Sequence, residues 1–171
     1  MERIRITYEK FGALRYTSHL DMQKMWVRAL LRAKIPLAYT QGFHPTPKLS
    51  PAWPLPLGWA ASGELIDFWI DDTQGKPLEI PDFVEIVNRA TPPGLKIAQA
   101  DIVPCNAPSL TGCIQSACYQ VAFPDGCQSQ TLRPQMENLM AQSEIIRERR
   151  GKPYDLKAMI DTRLSGMVWE G

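Results

Sequence analysis

The first residues, Arg3-Ile4-Arg5-Ile6-Thr7-Tyr8, alternate polar and apolar side chains. That period of two predicts a strand with one buried face. Gly12 predicts a bulge or turn, after which Leu14–Tyr16 continue the strand. Met22, Met25, Trp26, Ala29, Leu30 and Ala33 then recur at helical spacing and predict a helix with one apolar face. Ser18 with Asp21 three residues later forms a capping box in which Asp replaces the usual Glu or Gln. The acid suits the positive end of the helix. Lys24, Arg28 and Arg32 fall every four residues and make a cationic stripe on another side. Pro36 ends the helix near Lys34 or Ile35, because the residue before a proline avoids helical geometry.

Pro36–Tyr39 reads as a short strand. From Thr40 to Ser62 the chain holds five prolines and two glycines, which excludes a regular helix. Its Phe43, Trp53 and Trp59 argue for an ordered, extended loop or irregular hairpin arm. Glu64–Ile70 is a strand with Leu65, Asp67 and Trp69 on one face and Ile66, Phe68 and Ile70 on the other. A turn at 71–75 follows, then a helix opened by Pro81-Asp82 and stopped by Pro92-Pro93-Gly94, then a strand at Leu95–Val103. The order β-α-β-β-α-β predicts an α+β, ferredoxin-like domain over residues 1–104, with a proline-rich loop at 40–62. Residues 105–116 read as a linker. Residues 117–171 read as a second, smaller α+β unit, partial or ferredoxin-like. It has a strand at Cys118–Phe123, a turn at Pro124-Asp125-Gly126, a helix at Leu132–Gln142, a strand at Glu144–Arg149 and a strand or short helix at Lys157–Leu164. Asp155 is a candidate N-cap for the last.

Charge changes this picture. The chain has 19 basic and 18 acidic residues, but the first 48 residues carry nine Lys or Arg against three acids. Residues 49–104 carry three against eight, and the remainder cancels at seven against seven. So basic a first block points to an anionic partner, with RNA foremost. No apolar run reaches the roughly 18 residues that span a bilayer, and the N-terminus does not resemble a signal peptide, so the expected location is cytoplasmic. Cys105, Cys113, Cys118 and Cys127 lack the paired spacing of structural zinc sites and read as reduced, partly buried thiols, with no metal.

His19 and His44 lie in the basic block. Either is a candidate general acid or base, though no third group is fixed beside them, so no catalytic set is assigned. His19 falls at the first helical position. Gly42, Phe43, His44 and Lys48 place a glycine turn, two planar rings and a cation close together, the parts that single-stranded RNA recognition uses. Arg15, Lys24, Arg28, Arg32 and Lys48 are the candidate phosphate contacts. Asp67, polar between Leu65 and Trp69, is expected to face the cationic helix as a structural ion pair. Arg147, Arg149, Arg150 and Lys152 form a smaller basic cluster. Phosphate-loop, dinucleotide, His-Glu-x-x-His and Gly-x-Ser-x-Gly motifs are absent from the sequence.

The run Arg15-Tyr16-x-Ser18-His19-Leu20-Asp21, with Arg28-Ala29-Leu30-x-Arg32-Ala33, Pro36-Leu37-Ala38-Tyr39-x-Gln41-Gly42-Phe43-x-Pro45-x-Pro47-Lys48, Pro54-Leu55-Pro56-Leu57-Gly58 and Gly63-Glu64, resembles a known family. This is the uncharacterised domain linked to radical-SAM proteins. In that family the domain follows a radical-SAM module, stands alone, or is fused to ribonuclease E/G-type proteins. The resemblance covers most of the chain, is specific from Arg15 to Asp67 and weakens after Leu110, where the family is longer. It implies a radical-SAM partner and work on RNA or the translation apparatus. The chain has no Cys-x3-Cys-x2-Cys triad, so it is not expected to carry the iron–sulfur cluster or any other cofactor. The family's loop has Asn where this chain has His44.

The leading expectation is therefore a non-catalytic RNA-binding or substrate-presenting domain that serves a radical-SAM protein. A ferredoxin-like, metal-independent endoribonuclease is the first alternative. Its usual glycine-rich C-terminal loop has only Leu164-Ser165-Gly166 as a counterpart. The second alternative is a protein–protein adaptor whose Trp-rich loop docks on the radical-SAM module. The RNA reading expects the basic groups of the helix and of the proline arm to converge on one exposed concavity.

Overall fold

The computed structural model describes residues 1–71, 79–121 and 129–160. The predicted turn at Asp72–Gly75, the turn at Pro124–Gly126, Cys127 and the segment after Ile160, with Leu164-Ser165-Gly166, lie outside the described residues. The chain divides into two compact units, Met1–Gln115 and Ser116–Gly171.

In the first unit the elements are β1 (Glu2–Lys10), a 3-10 turn (Gly12–Tyr16), α1 (His19–Arg32), β2 (Leu49–Pro51), β3 (Ala61–Ile70), α2 (Ile80–Ala90), β4 (Leu95–Val103) and a short helix α3 (Leu110–Cys113). The four strands form one sheet in the order β2-β3-β1-β4, with each neighbouring pair antiparallel. The unit is α+β and loosely ferredoxin-like; its second strand is only three residues long. Pro36–Tyr39 is not that strand. Leu37 and Tyr39 make only isolated bridges, to Ile70 and Pro47, and the strand proper falls inside the proline-rich run. Pro47 and Pro51, which lack an N–H to donate, confine it to an edge and keep it short. Leu14–Tyr16 do not resume β1 either. Gly12, at φ +61°, reverses the chain into the 3-10 turn.

Period-two alternation sorts β1 and β3 into two faces. Ile4, Ile6, Ile66, Phe68 and Ile70 pack with Met22, Trp26 and Leu30 of α1, Phe83 and Val87 of α2, and Leu95 and Ile97 of β4. The Trp26 ring meets Tyr8 and Phe68 edge-on, with centroids 5.1 and 6.0 Å apart. Ser18 caps α1 by accepting the Asp21 N–H at 3.1 Å. At the other end Lys34 takes φ +58° and the Ile35 N–H reaches the Leu30 carbonyl at 3.0 Å, so the helix stops at Arg32. This is a Schellman-type ending with Lys where Gly is usual.

The opposite face is polar and tightly paired. Asp67 is fully buried and lies directly across from Arg5, while Arg3 lies across from Trp69. Arg3 donates to Asp67 Oδ2 through Nε (2.9 Å) and Nη2 (2.5 Å), and Arg5 donates to Oδ1 through Nε (2.9 Å). The carboxylate raises the Arg5 pKa. Asp67 thus pairs with β1 and not, as expected from sequence, with the cationic helix, which packs on the other side of the sheet. Residues 105–115, read as a linker, belong to this unit. Arg3 donates to the carbonyls of Ala107 (2.6 Å) and Pro108 (2.9 Å), and Leu110 is buried. Gly94 closes the other end: at φ +90°, a Cβ there would lie 2.6 Å from the Phe11 carbonyl oxygen.

In the second unit α4 (Ser129–Ala141) precedes a two-stranded antiparallel hairpin, β5 (Ile146–Arg149) and β6 (Lys152–Asp155), and a 3-10 turn at Lys157–Met159. Residues 118–121 are not a strand. Asp155 Oδ1 accepts the N–H groups of Ile145 (2.8 Å) and Lys157 (2.9 Å), and Lys157 Nζ donates to the carbonyls of Met140 and Gln142. Among the described residues no helix is long and apolar enough to cross a membrane.

Breaking a buried ion cluster strands the remaining charges, so Asp67→Asn should lower the unfolding free energy by about 3–5 kcal/mol. Urea denaturation reads this directly. A change within about 0.5 kcal/mol, the range of an ordinary surface substitution, would mean the two guanidinium groups do not depend on this carboxylate.

Candidate functional site

The core-facing side of the sheet does not stay apolar to its end. Tyr8 and Lys10 follow Ile4 and Ile6 at every second position of β1, and Glu64 precedes Ile66 and Phe68 in the same phase on β3. Tyr8 and Glu64 are register partners. With His19 and Met22 of the first α1 turn and the Pro51–Leu55 stretch, they line a cavity open to the centre of a water molecule over about 10 Å³, room for one water. Lys10 is only 2% exposed, and its Nζ donates to the Thr17 carbonyl at a long 3.3 Å. Burial lowers the Lys10 pKa and raises that of Glu64, each partly offset by the other's charge. Burial, then the Glu64 charge, pushes the Tyr8 phenol up. Among the described residues no donor bonds the Glu64 carboxylate. An ammonium held toward neutrality, a carboxyl held toward protonation and an imidazole around one small space form an acid–base cluster.

Sequence reasoning found His19 here but missed Tyr8, Lys10 and Glu64. The signal was present: charged residues on the buried phase of otherwise apolar strands.

One exposed ring borders this cavity, and others lie on the 3-10 turn and the proline run. Trp53 lines the cavity yet remains 62% exposed. Gly58 donates its N–H to the Arg15 carbonyl at 2.8 Å, tying the proline run to the 3-10 turn. There Arg15 lies over the exposed Tyr16 ring, 5.4 Å from its centroid. Further along, the Tyr39–Pro47 bridge, the Thr40 N–H to Thr46 carbonyl bond (2.8 Å) and the Thr46 N–H to Thr40 Oγ1 bond (3.0 Å) pinch off a small loop. Gly42 takes φ +134° within it. The loop holds Phe43 wholly in solvent beside an exposed His44.

The sequence-predicted cations do not share one concavity, which removes the geometric basis that the charge argument for a polyanion partner requires. Lys24 pairs with Asp21 at 3.5 Å on the exposed face of α1, which also carries Arg28 and Arg32. Arg32 borders an open depression with Lys34 and Arg89 at the C-terminal ends of α1 and α2, where cations offset helix dipoles. Lys48 lies across the sheet from α1, its Nζ 4.7 Å from the centroid of Trp69, whose other neighbour is Arg3 at 4.9 Å. The sheet separates the two sets because even and odd positions of β3 leave on opposite sides. Cys105, Cys113 and Cys118 are free and exposed, not partly buried. Among the described residues no three His, Cys, Asp or Glu cluster to hold a metal.

The Glu64 shift has a pH signature. Its folded pKa exceeds the ordinary 4.5, so the folded chain binds that proton more tightly than the unfolded chain does. The penalty is full above the folded value and fades as pH falls toward 4.5. Glu64→Gln should therefore melt at or above the wild-type temperature at neutral pH, with any advantage gone at pH 4.5. A variant less stable than wild type at neutral pH would show that the carboxylate is a structural asset.

Comparison with curated proteins finds no match. Residues 3–166 match the family described as "Uncharacterized protein conserved in bacteria (DUF2344)", and the chain belongs to that family.

Proposed function

We propose that this chain is an accessory RNA-binding or substrate-presenting domain and that its proline-rich arm is the contact for single-stranded RNA. The observation that carries this reading is Phe43, fully exposed at the tip of a bonded loop with His44 beside it. An aromatic ring held entirely in water contributes nothing to a core, whereas a planar face in that position can stack a base. Tyr16 beneath Arg15 and Trp53 at the cavity rim add further stacking surfaces and a cation. Arg28 and Arg32, exposed and beyond ion-pairing distance of any carboxylate among the described residues, are outlying phosphate contacts in this reading. The radical-SAM partner is supported by the resemblance of Arg15–Asp67 alone. A ferredoxin-like assignment of the first unit, a scaffold shared by several RNA-binding modules, is supported by the sheet order β4-β1-β3-β2 with antiparallel neighbours.

Base stacking on an aromatic side chain is worth about 1–3 kcal/mol. Phe43→Ala should thus weaken binding of a labelled single-stranded RNA by between about fivefold and about 150-fold, with no loss of stability. His44→Ala should weaken it less. Fluorescence anisotropy at fixed salt measures both, and unchanged affinity in the double variant would remove the arm from the account.

The Lys10–His19–Glu64 cluster favours a second reading, a metal-independent endoribonuclease centred on His19. There the 2′-hydroxyl, losing its proton to a base, attacks the adjacent phosphorus to give a cyclic phosphate, and the departing 5′-oxygen takes up a proton. Incubation with RNA separates the two. Cleavage abolished by His19→Ala and by Lys10→Met would promote the second reading; intact RNA after prolonged incubation would dismiss it.

A further inference from the structure

The second unit carries a basic hairpin that the proposal above leaves unused. Its register pairs Arg147 with Tyr154, Glu148 with Pro153 and Arg149 with Lys152. Directly opposed residues share a face, as do alternate ones, so Arg147, Arg149, Lys152 and Tyr154 all project to one side. Each is exposed. Arg150 and Gly151 form the two-residue connection at φ +54° and +74°, the double left-handed geometry of a type I′ turn.

Two choices here run against stability. Arg149 and Lys152 are like charges directly opposite each other, an arrangement that destabilises a strand pair. Arg150 occupies a left-handed position that Asn, Asp or Gly fills at lower cost. Neither choice is relieved locally. Among the described residues no carboxylate lies within ion-pairing distance of these four cations. Glu148 projects from the other face, and Asp155 accepts the N–H groups of Ile145 and Lys157. A bound anion would relieve the repulsion.

We infer that this face is a second binding surface, which takes the phosphates of single-stranded RNA on Arg147, Arg149, Arg150 and Lys152 while Tyr154 offers a ring to a base. Guanidinium groups meet phosphate oxygens through paired N–H donors. The hairpin's aliphatic residues, Ile146 and Pro153, lie on the opposite face, so the cationic side carries no aliphatic side chain to insert into a lipid surface, only the Tyr154 ring. The inference rests on the RNA reading above but uses different residues, so the two can be separated.

The test uses the full chain, a fluorescein-labelled single-stranded RNA of mixed sequence, and affinities measured across a KCl series. Each lost phosphate contact flattens the salt slope by about 0.7 for single strands. Arg147→Glu/Arg149→Glu should bind at least tenfold more weakly, with a slope shallower by about 1.4. Arg149→Glu alone places an acid opposite Lys152, so it should hold or raise the melting temperature while weakening RNA binding. Unchanged affinity and slope in the double variant would overturn the inference. If Phe43→Ala weakens binding and the hairpin variants do not, the hairpin falls and the arm stands; the reverse keeps the hairpin and removes the arm. Phosphatidylserine vesicles that bind as tightly as RNA, and through the same arginines, would replace RNA with a lipid surface and also overturn it.

Discussion

One buried carboxylate sets the register on which the first unit is built. Asp67 accepts hydrogen bonds from Arg3 and Arg5 on the polar face, while Ile4 and Ile6 lie opposite Phe68 and Ile66 on the apolar face. A slip of one residue between β1 and β3 would drive two guanidinium groups into the core and turn the isoleucines outward. The same register sets Tyr8 opposite Glu64; past a one-residue irregularity after Tyr8, Lys10 lines the same cavity as His19. The register also anchors the chain after β4, because Arg3 donates in addition to the Ala107 and Pro108 carbonyls. Fold and candidate chemistry therefore share one origin.

The features that cost stability are few and localised. Lys10 and Glu64 are charges withdrawn from water without a close mutual bond, and burial shifts each toward its neutral form. Phe43 surrenders a whole ring to solvent, and Arg150 holds a left-handed backbone. Lys34 holds a left-handed backbone too, at the end of α1, and Trp26 buries an indole N–H without a partner; most other described residues obey ordinary rules of capping, alternation and packing. Departures of this kind concentrate where a sequence is selected for something besides stability, and several of them lie on the cavity, the arm tip and the hairpin.

Much of this was legible in the sequence. The alternation of β1, the apolar face of α1 and the opposite-face assignment of Ile66 and Asp67 follow from periodicity alone. The second strand was misplaced because Pro36–Tyr39 has strand-like letters, while Leu49–Pro51 pairs only through the neighbouring β3 backbone. The continuation of β1 failed at Gly12, whose positive φ turns the chain. The partner of Asp67 is not legible in sequence, because helix cations are conspicuous there whereas cross-strand pairing with Arg3 and Arg5 requires the register. The separation of Lys48 from Arg28 and Arg32 was likewise a matter of sheet side, which charge counts along a chain cannot express. The acid–base cluster is legible in sequence as Lys10 and Glu64 on the buried phase of otherwise apolar strands.

The central claim is that exposed planar side chains, rather than a pooled cationic groove, engage single-stranded RNA. Photocrosslinking the full chain to RNA containing a photoreactive pyrimidine, followed by mass-spectrometric mapping, tests it most directly. The account predicts adducts on Phe43 and on Tyr16 or Trp53. Adducts confined to the outer face of α1 around Arg28 and Arg32, or none at all, would contradict it.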